Sequence, residues 1–201
     1  MRRPAARDIS SARKGSGKTT LIQKVCEVLA SSRLPADGFY TEEVRQGCRR
    51  VGFDVVTLSG NRGELARIGD YFSSKKPVHR VGQYVVDISS FEQLVLPLMD
   101  RFKSTIKTIN RPVCVIDEIG KMELLSQPFV LAVNKILDNP SVVVFGTLPV
   151  SRGKFLPIVE EIKHRQDVKL FNAGTTTSFS ITYQRGPSLP KVDSLPELVM
   201  L

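Results

Sequence analysis

Residues 12–19 read Ala12-Arg13-Lys14-Gly15-Ser16-Gly17-Lys18-Thr19, with Thr20 next. Apart from Ala12, which stands where the first glycine belongs, this is the spacing of a phosphate-binding loop. The spacing has a chemical reason. Gly15 and Gly17 lack a Cβ, so successive backbone N–H groups can turn toward one anion. Lys18 brings a positive charge to the β- and γ-phosphates of a nucleotide, and the Thr19 hydroxyl can ligate Mg²⁺. A helix opening here adds its N-terminal dipole to the same phosphates. A flexible basic loop would match by chance in on the order of one or two per cent of chains this long.

A second stretch supplies what the first lacks. Val113-Cys114-Val115-Ile116 is an apolar run that ends in Asp117-Glu118, followed by Ile119-Gly120. A continuous apolar run suits a strand covered on both faces, as in a parallel sheet. At its carboxyl end Asp117 can hold Mg²⁺, and Glu118 can orient and deprotonate an attacking water. A core strand ending in two solvated acids explains these residues equally well when they are taken alone. The two motifs together favour chemistry, because one brings a phosphate cradle and the other a metal ligand and a base. The expected catalytic residues are Lys18 and Glu118, and the expected metal ligands Thr19 and Asp117. Nucleotide contacts are expected from residues 12–20 and 113–120.

These groups need elements to place them. After the loop, Leu21, Ile22, Val25, Val28 and Leu29 form one helical face. The preceding residues, Ala5 to Ser11, contain only Ile9 as a strong β-former, although a strand normally leads into such a loop. Residues 38–45, 51–58 and 80–87 read as strands, consecutive and antiparallel, inserted as a hairpin on a parallel core. Thr41, Glu43 and Arg45 share one face of the first, either solvated or a substrate wall. Residues 59–77 read as a long loop. The Ser89 and Glu92 spacing predicts a capped helix to about Ile106, with a bend at Pro97. Residues 127–137 and 158–165 read as helices, and residues 142–145 and 168–171 as strands. Gly146-Thr147 reads as a turn, with Thr147 a weaker candidate to sense the γ-phosphate. Arg152, Lys154 and Arg165 are candidates to stabilise transition-state charge, but exposed basic residues are ordinary. The fold class is α/β. One domain is expected over residues 1–172, its first 11 or so divergent, followed by a loosely ordered tail over 173–201.

Composition narrows the choices. The 201 residues are 41% hydrophobic and 24% charged, near globular averages. No apolar run approaches the roughly 18–20 residues that span a bilayer, so no membrane partner is expected. Three cysteines without a Cys-x-x-Cys pair, and two histidines, give neither a zinc site nor a disulfide framework. Net charge is +9, which suits anionic partners without choosing among nucleotides, nucleic acid and acidic surfaces. Residues 1–18 carry six of the basic residues against Asp8 alone. This Arg- and Ser-rich start has a loose likeness to a mitochondrial presequence but lacks an apolar face. An intracellular, cytoplasmic monomer is expected.

From Lys18 to Asn172 the chain resembles the small P-loop nucleoside-triphosphatase family of vertebrates and thermophilic microbes. The stretches that carry the likeness are GKTTLIQKVCEVL, DGFYTEEVRQG, VGFDVVTLSG, RVGQYVVD, VCVIDEIGKMEL, FGTLPV and EEIKHRQDVKLFN. The resemblance implies a three-layer P-loop sandwich with a mostly parallel sheet. It implies Mg²⁺-dependent hydrolysis of ATP, GTP and other nucleoside triphosphates to the diphosphate, with little base selectivity. The nucleotide site carries over to residues 12–19 and 113–120. Two departures accompany it. Ala12, Arg13 and Lys14 replace the first part of a Gly-Pro-Pro-Gly-Val-Gly-Lys-like loop, and the tail differs. The alternatives are a phosphotransferase acting on a nucleoside or nucleic-acid hydroxyl, and a nucleotide- or nucleic-acid-binding form with impaired turnover.

Overall fold

The computed structural model describes residues 18–31, 34–69, 79–103, 105, 111–149, 155–170 and 180–183. The elements in chain order are α1 (Lys18–Ser31), β1 (Ala36–Gln46), β2 (Arg49–Thr57), β3 (Arg62–Ile68), β4 (His79–Val81), β5 (Tyr84–Val86), α2 (Ile88–Lys103), β6 (Val113–Ile116), α3 (Gln127–Leu137), β7 (Val143–Leu148), α4 (Pro157–His164) and β8 (Ser180–Tyr183). A short 3-10 turn, Glu123–Leu125, lies between β6 and α3. The strands form one sheet in the order β4-β5-β3-β2-β1-β6-β7-β8.

The α/β class holds, but the sheet is mixed rather than mostly parallel. Among the described residues only β1 with β6 and β6 with β7 are parallel. The pairs β1–β2, β2–β3, β3–β5, β4–β5 and β7–β8 run antiparallel. Short turns join β1 to β2, β2 to β3 and β4 to β5, because antiparallel neighbours need only a tight connection whereas parallel ones need a crossover. The Gly47-Cys48 turn links β1 to β2, and Gly47 has a positive φ of 61°.

Several local expectations need correction. The long loop expected over 59–77 contains β3, whose Leu65 and Ala66 are buried. Gly63 and the irregular spacing of Arg62, Glu64 and Arg67 hid that strand. The expected strand over 80–87 is two short strands around Gly82-Gln83, and Gly82 turns at φ 60°. Asp87, not Ser89, caps α2: its side chain accepts from the Ser90 N–H at 2.9 Å, and its carbonyl from the Phe91 N–H at 3.1 Å. The strand expected at 142–145 continues to Leu148, so Gly146-Thr147 is strand, not turn. Val168 makes a single bridge, with residue 171 outside the described residues. Within the stretch expected as a tail, Ser180–Tyr183 pairs with β7.

The sheet has two covered faces. On one, Phe39, Phe91 and Phe129 meet edge to face at 5.8, 5.9 and 5.1 Å, which ties β1 to α2 and α3. All three are fully buried. Ile158, Val159 and Ile162 of α4 join the same cluster. On the other face, Ile22, Cys26 and Leu29 of α1 pack over Ala36, Tyr40, Val113, Val115, Val143 and Phe145. The result is three layers. Gly38 lets β1 and β6 meet closely: a Cβ there would stand 2.1 Å from the Val115 carbonyl oxygen.

Candidate active site

Strand alternation decides which side of the sheet each acid faces. On β6, Cys114 and Ile116 face α2 and α3, while Val113 and Val115 face α1. Asp117 continues the second series, toward α1. On β7, Val143 and Phe145 face α1, and Thr147 continues that series. The register sets Ile116 opposite Gly146, which brings the next residues of each strand together. The Thr147 hydroxyl donates to Asp117 Oδ1. Both are buried, Asp117 at 2% exposure and Thr147 at 0%. Thr147 is thus a holder of the acid, a role its sequence context did not reveal. Main-chain bonds fix the same turn: Asp117 N–H donates to Phe39 O at 3.1 Å, and Ile119 N–H to Thr147 O at 2.9 Å.

The direction of α1 brings its first turn to this end. The helix finishes at Ser31, and β1 starts at Ala36. Its C-terminus therefore sits where β1 and β6 begin, and its N-terminus lies toward the end where they finish. Lys18, Thr19 and Thr20 form the first turn of α1. Residues 12–17 lie outside the described residues. Asp117 is felt along this helix: burial first, then the Asp117 charge, pushes the Cys26 thiol up to about 11.

The order of strands adds a topological point. A strand leading into α1 has to run parallel to β1, with α1 as a right-handed crossover. α1 covers β1, β6 and β7, and β1 already has β2 and β6 as neighbours. The position such a strand would take is the far edge of β7. There β8 pairs antiparallel, with Thr147 opposite Ile181 and Phe145 opposite Tyr183.

Beyond Asp117 the chain turns. The Asp117–Glu118 peptide is cis. Glu118 is half-buried. A Cβ on Gly120 would stand 2.5 Å from Glu118 Oε1 and 2.9 Å from Glu123 Oε2. Glu123 is buried at 4% exposure. Burial, then the nearby Glu118 charge, pushes its carboxyl up to about 8. No motif spacing in the sequence singles out Glu123. The available signal was one acid inside the otherwise apolar Met122-Glu123-Leu124-Leu125.

Other expected residues fall elsewhere. Thr41 and Glu43 share Phe39's face by alternation, away from Asp117. Glu43 is held by Arg45 at 2.6 Å and Arg50 at 2.7 Å. Arg165 ties the end of α4 to the end of α3. It donates to Asp138 at 2.8 Å, Leu137 O at 3.0 Å and Asp167 at 2.9 Å. Those bonds are structural and leave the bland reading of Arg165 in place. Arg152 and Lys154 lie outside the described residues.

The donors suit a hard cation. A buried carboxylate facing the first turn of a helix that carries Thr19 offers oxygen ligands of the type Mg²⁺ prefers. Among the described residues no three or more His, Cys, Asp and Glu side chains converge as a metal cluster. A cation there would take its remaining ligands from phosphate and water. No helix among the described residues is long and apolar enough to cross a membrane.

Known proteins resemble this chain over most of its length. The family model described as NTPase matches residues 9–178. The human cancer-related nucleoside-triphosphatase is 60% identical over 158 residues, 79% of this chain and 83% of that protein. The mouse homologue is equally similar over the same shares. The nucleoside-triphosphatase THEP1 of Thermotoga maritima is 40% identical, over 79% of this chain and 81% of its own. The solution structure of the human protein superposes with a TM-score of 0.69 at 57% identity, covering 82% and 86% of the two chains. The crystal structure of THEP1 from Aquifex aeolicus gives 0.61 at 40% identity, covering 75% and 80%.

Proposed function

The chain belongs to the NTPase family, and from that membership we propose that it hydrolyses ATP, GTP and other nucleoside triphosphates to the diphosphate and phosphate, with Mg²⁺ and little base selectivity. One observation carries the reading. A buried Asp117, hydrogen-bonded by Thr147 and followed by Glu118, stands at the end of the sheet toward which α1 presents its first turn. This supports a shared site for a triphosphate tail and its cation.

Water attacks the γ-phosphorus in line. The new bond joins water oxygen to phosphorus, and the bond from the γ-phosphorus to the bridging oxygen breaks. Glu118 takes the water's proton. Lys18 and the backbone amides of residues 13–18 meet the charge that develops on the phosphate oxygens. Asp117 and Thr19 are the residues that would hold Mg²⁺, which when bound neutralises phosphate charge. Thr147 keeps the Asp117 carboxylate oriented. The low demand on the base follows from the parts used, since every named group addresses phosphate or water.

Phosphate release from several triphosphates, with Mg²⁺ and with chelator, tests the reading. Release that needs Mg²⁺, is similar for ATP and GTP, and falls in Glu118→Gln supports it. A Glu118→Gln protein that turns over at the parent rate would refute the assignment of the base.

A further inference from the structure

We propose that Glu123 is a positioning residue, which packs with Glu118 on the bare Cα of Gly120 and holds the Glu118 carboxylate in place for the attacking water. The inference rests on the reading of Glu118 as the base.

Three observations carry it. First, the oxygens of Glu118 and Glu123 approach one point: 2.5 and 2.9 Å from where a Gly120 Cβ would stand. The missing side chain is what lets two carboxyl groups share that space. Second, Glu123 is itself fixed. It is buried at 4% exposure. The turn around it is closed by Leu124 N–H to Gly120 O at 3.0 Å and Ser126 N–H to Glu123 O at 3.1 Å. Third, Ser126 caps α3 through the Phe129 N–H at 3.1 Å and donates to Glu92 of α2 at 2.6 Å. Glu123 is thereby anchored to two helices of the core, while Glu118 projects from a turn. A general base must be held close to its productive geometry, and a misplacement of about 1 Å can cost on the order of 10²-fold in rate.

A second property fits the same role. A carboxyl pushed up to about 8 carries its proton at neutral pH, so it presents a donor as well as an acceptor. Glutamine at 123 offers the same pair of groups at the same reach. Methionine fills the volume without either, and aspartate is one methylene short.

The test compares Glu123→Gln, Glu123→Met and Glu123→Asp in the full chain, with Glu118→Gln alongside. Steady-state phosphate release with MgATP is measured, and thermal melts report folding. The expected result is kcat within about threefold of the parent for Glu123→Gln. Glu123→Met and Glu123→Asp should lose roughly 10- to 100-fold in kcat with KM little changed. A folded Glu123→Met or Glu123→Asp protein with the parent kcat overturns the proposal, provided Glu118→Gln has lost turnover. If Glu118→Gln keeps turnover, the reading of the base fails instead. If both shorter or apolar variants fail to fold while Glu123→Gln folds, Glu123 is a structural residue only, and the proposal is overturned.

Discussion

The two halves of the candidate site owe their order to different things. The acid half hangs from the middle of the sheet. Asp117 and Thr147 close the α1-side stripes of β6 and β7, both buried and bonded to each other. Strands on either side hold them, and no local sequence signal is needed. The phosphate half is local in sequence: Gly15, Gly17, Lys18, Thr19 and Thr20 follow closely along the chain, and the last three open α1. Its supporting strand would belong at the edge of β7, and β8 occupies that edge. The acid half of the candidate site is therefore secured by long-range packing, whereas the phosphate half is read from consecutive residue types. Damage to each half should have a different kinetic signature.

The largest effect should come from striking the two halves separately. Glu118→Gln should lower kcat by about 10²–10⁴-fold with nucleotide binding kept. Lys18→Ala should weaken MgATP binding as well. Fluorescent-nucleotide titration beside phosphate release separates them, and identical losses of affinity in both would erase the distinction. Next comes the edge of β7. A chain ending at Asn172 lacks β8 and leaves the β7 edge unpaired. Its melting temperature should drop by a few degrees, on the order of 1–3 kcal/mol for lost ladder bonds. Its turnover should move far less than that of Glu118→Gln. An unchanged melt would show that β8 does not support the sheet in solution.

A smaller effect tests how Asp117 is held. Thr147→Val keeps the volume of the side chain but removes the donor to a buried carboxylate. A hydrogen bond to a charged group contributes about 1.5–3 kcal/mol. Loss of turnover by about tenfold, with a raised Mg²⁺ requirement, is the expected result of a magnesium titration. Parent behaviour would detach Thr147 from the site.

A further effect, on stability rather than turnover, is one of pH. Glu123 has a folded pKa of about 8, above the roughly 4.3 of an unfolded glutamate. The folded chain then binds more protons than the unfolded one between these values. Its stability from this group is greatest below about 4.3 and declines as pH rises toward about 8. Urea melts in metal-free buffer should show that decline in the parent and a flatter profile in Glu123→Gln. Equal profiles would mean that the carboxyl is not shifted upward.

Much of this was legible from residue types. The run Val113–Ile116 suited a doubly covered strand, and Asp117-Glu118 at its end could be read as a metal ligand and a base. The helix after Thr19 followed from apolar spacing. The strand β3 was not legible, because Arg62, Glu64 and Arg67 break a regular alternation and Gly60, Gly63 and Gly69 mark the stretch as loop-like. Its burial comes from α2, which packs on it from far along the chain. Thr147 was legible as a residue but not as a partner, since its bond to Asp117 spans 30 positions.

The sequence alone determined the chemistry available: neighbouring groups of the kind that bind phosphate, and two acids after an apolar run. Those assignments depend on neighbours along the chain, whose spacing is set by covalent geometry. Only the tertiary structure decided which face Asp117 takes, that Thr147 holds it, that Glu123 meets Glu118 over Gly120, and that β8 lies on the edge of β7. Each of these depends on strand register and helix packing between distant segments, and pairing energies of that kind are not written in any single stretch of residues.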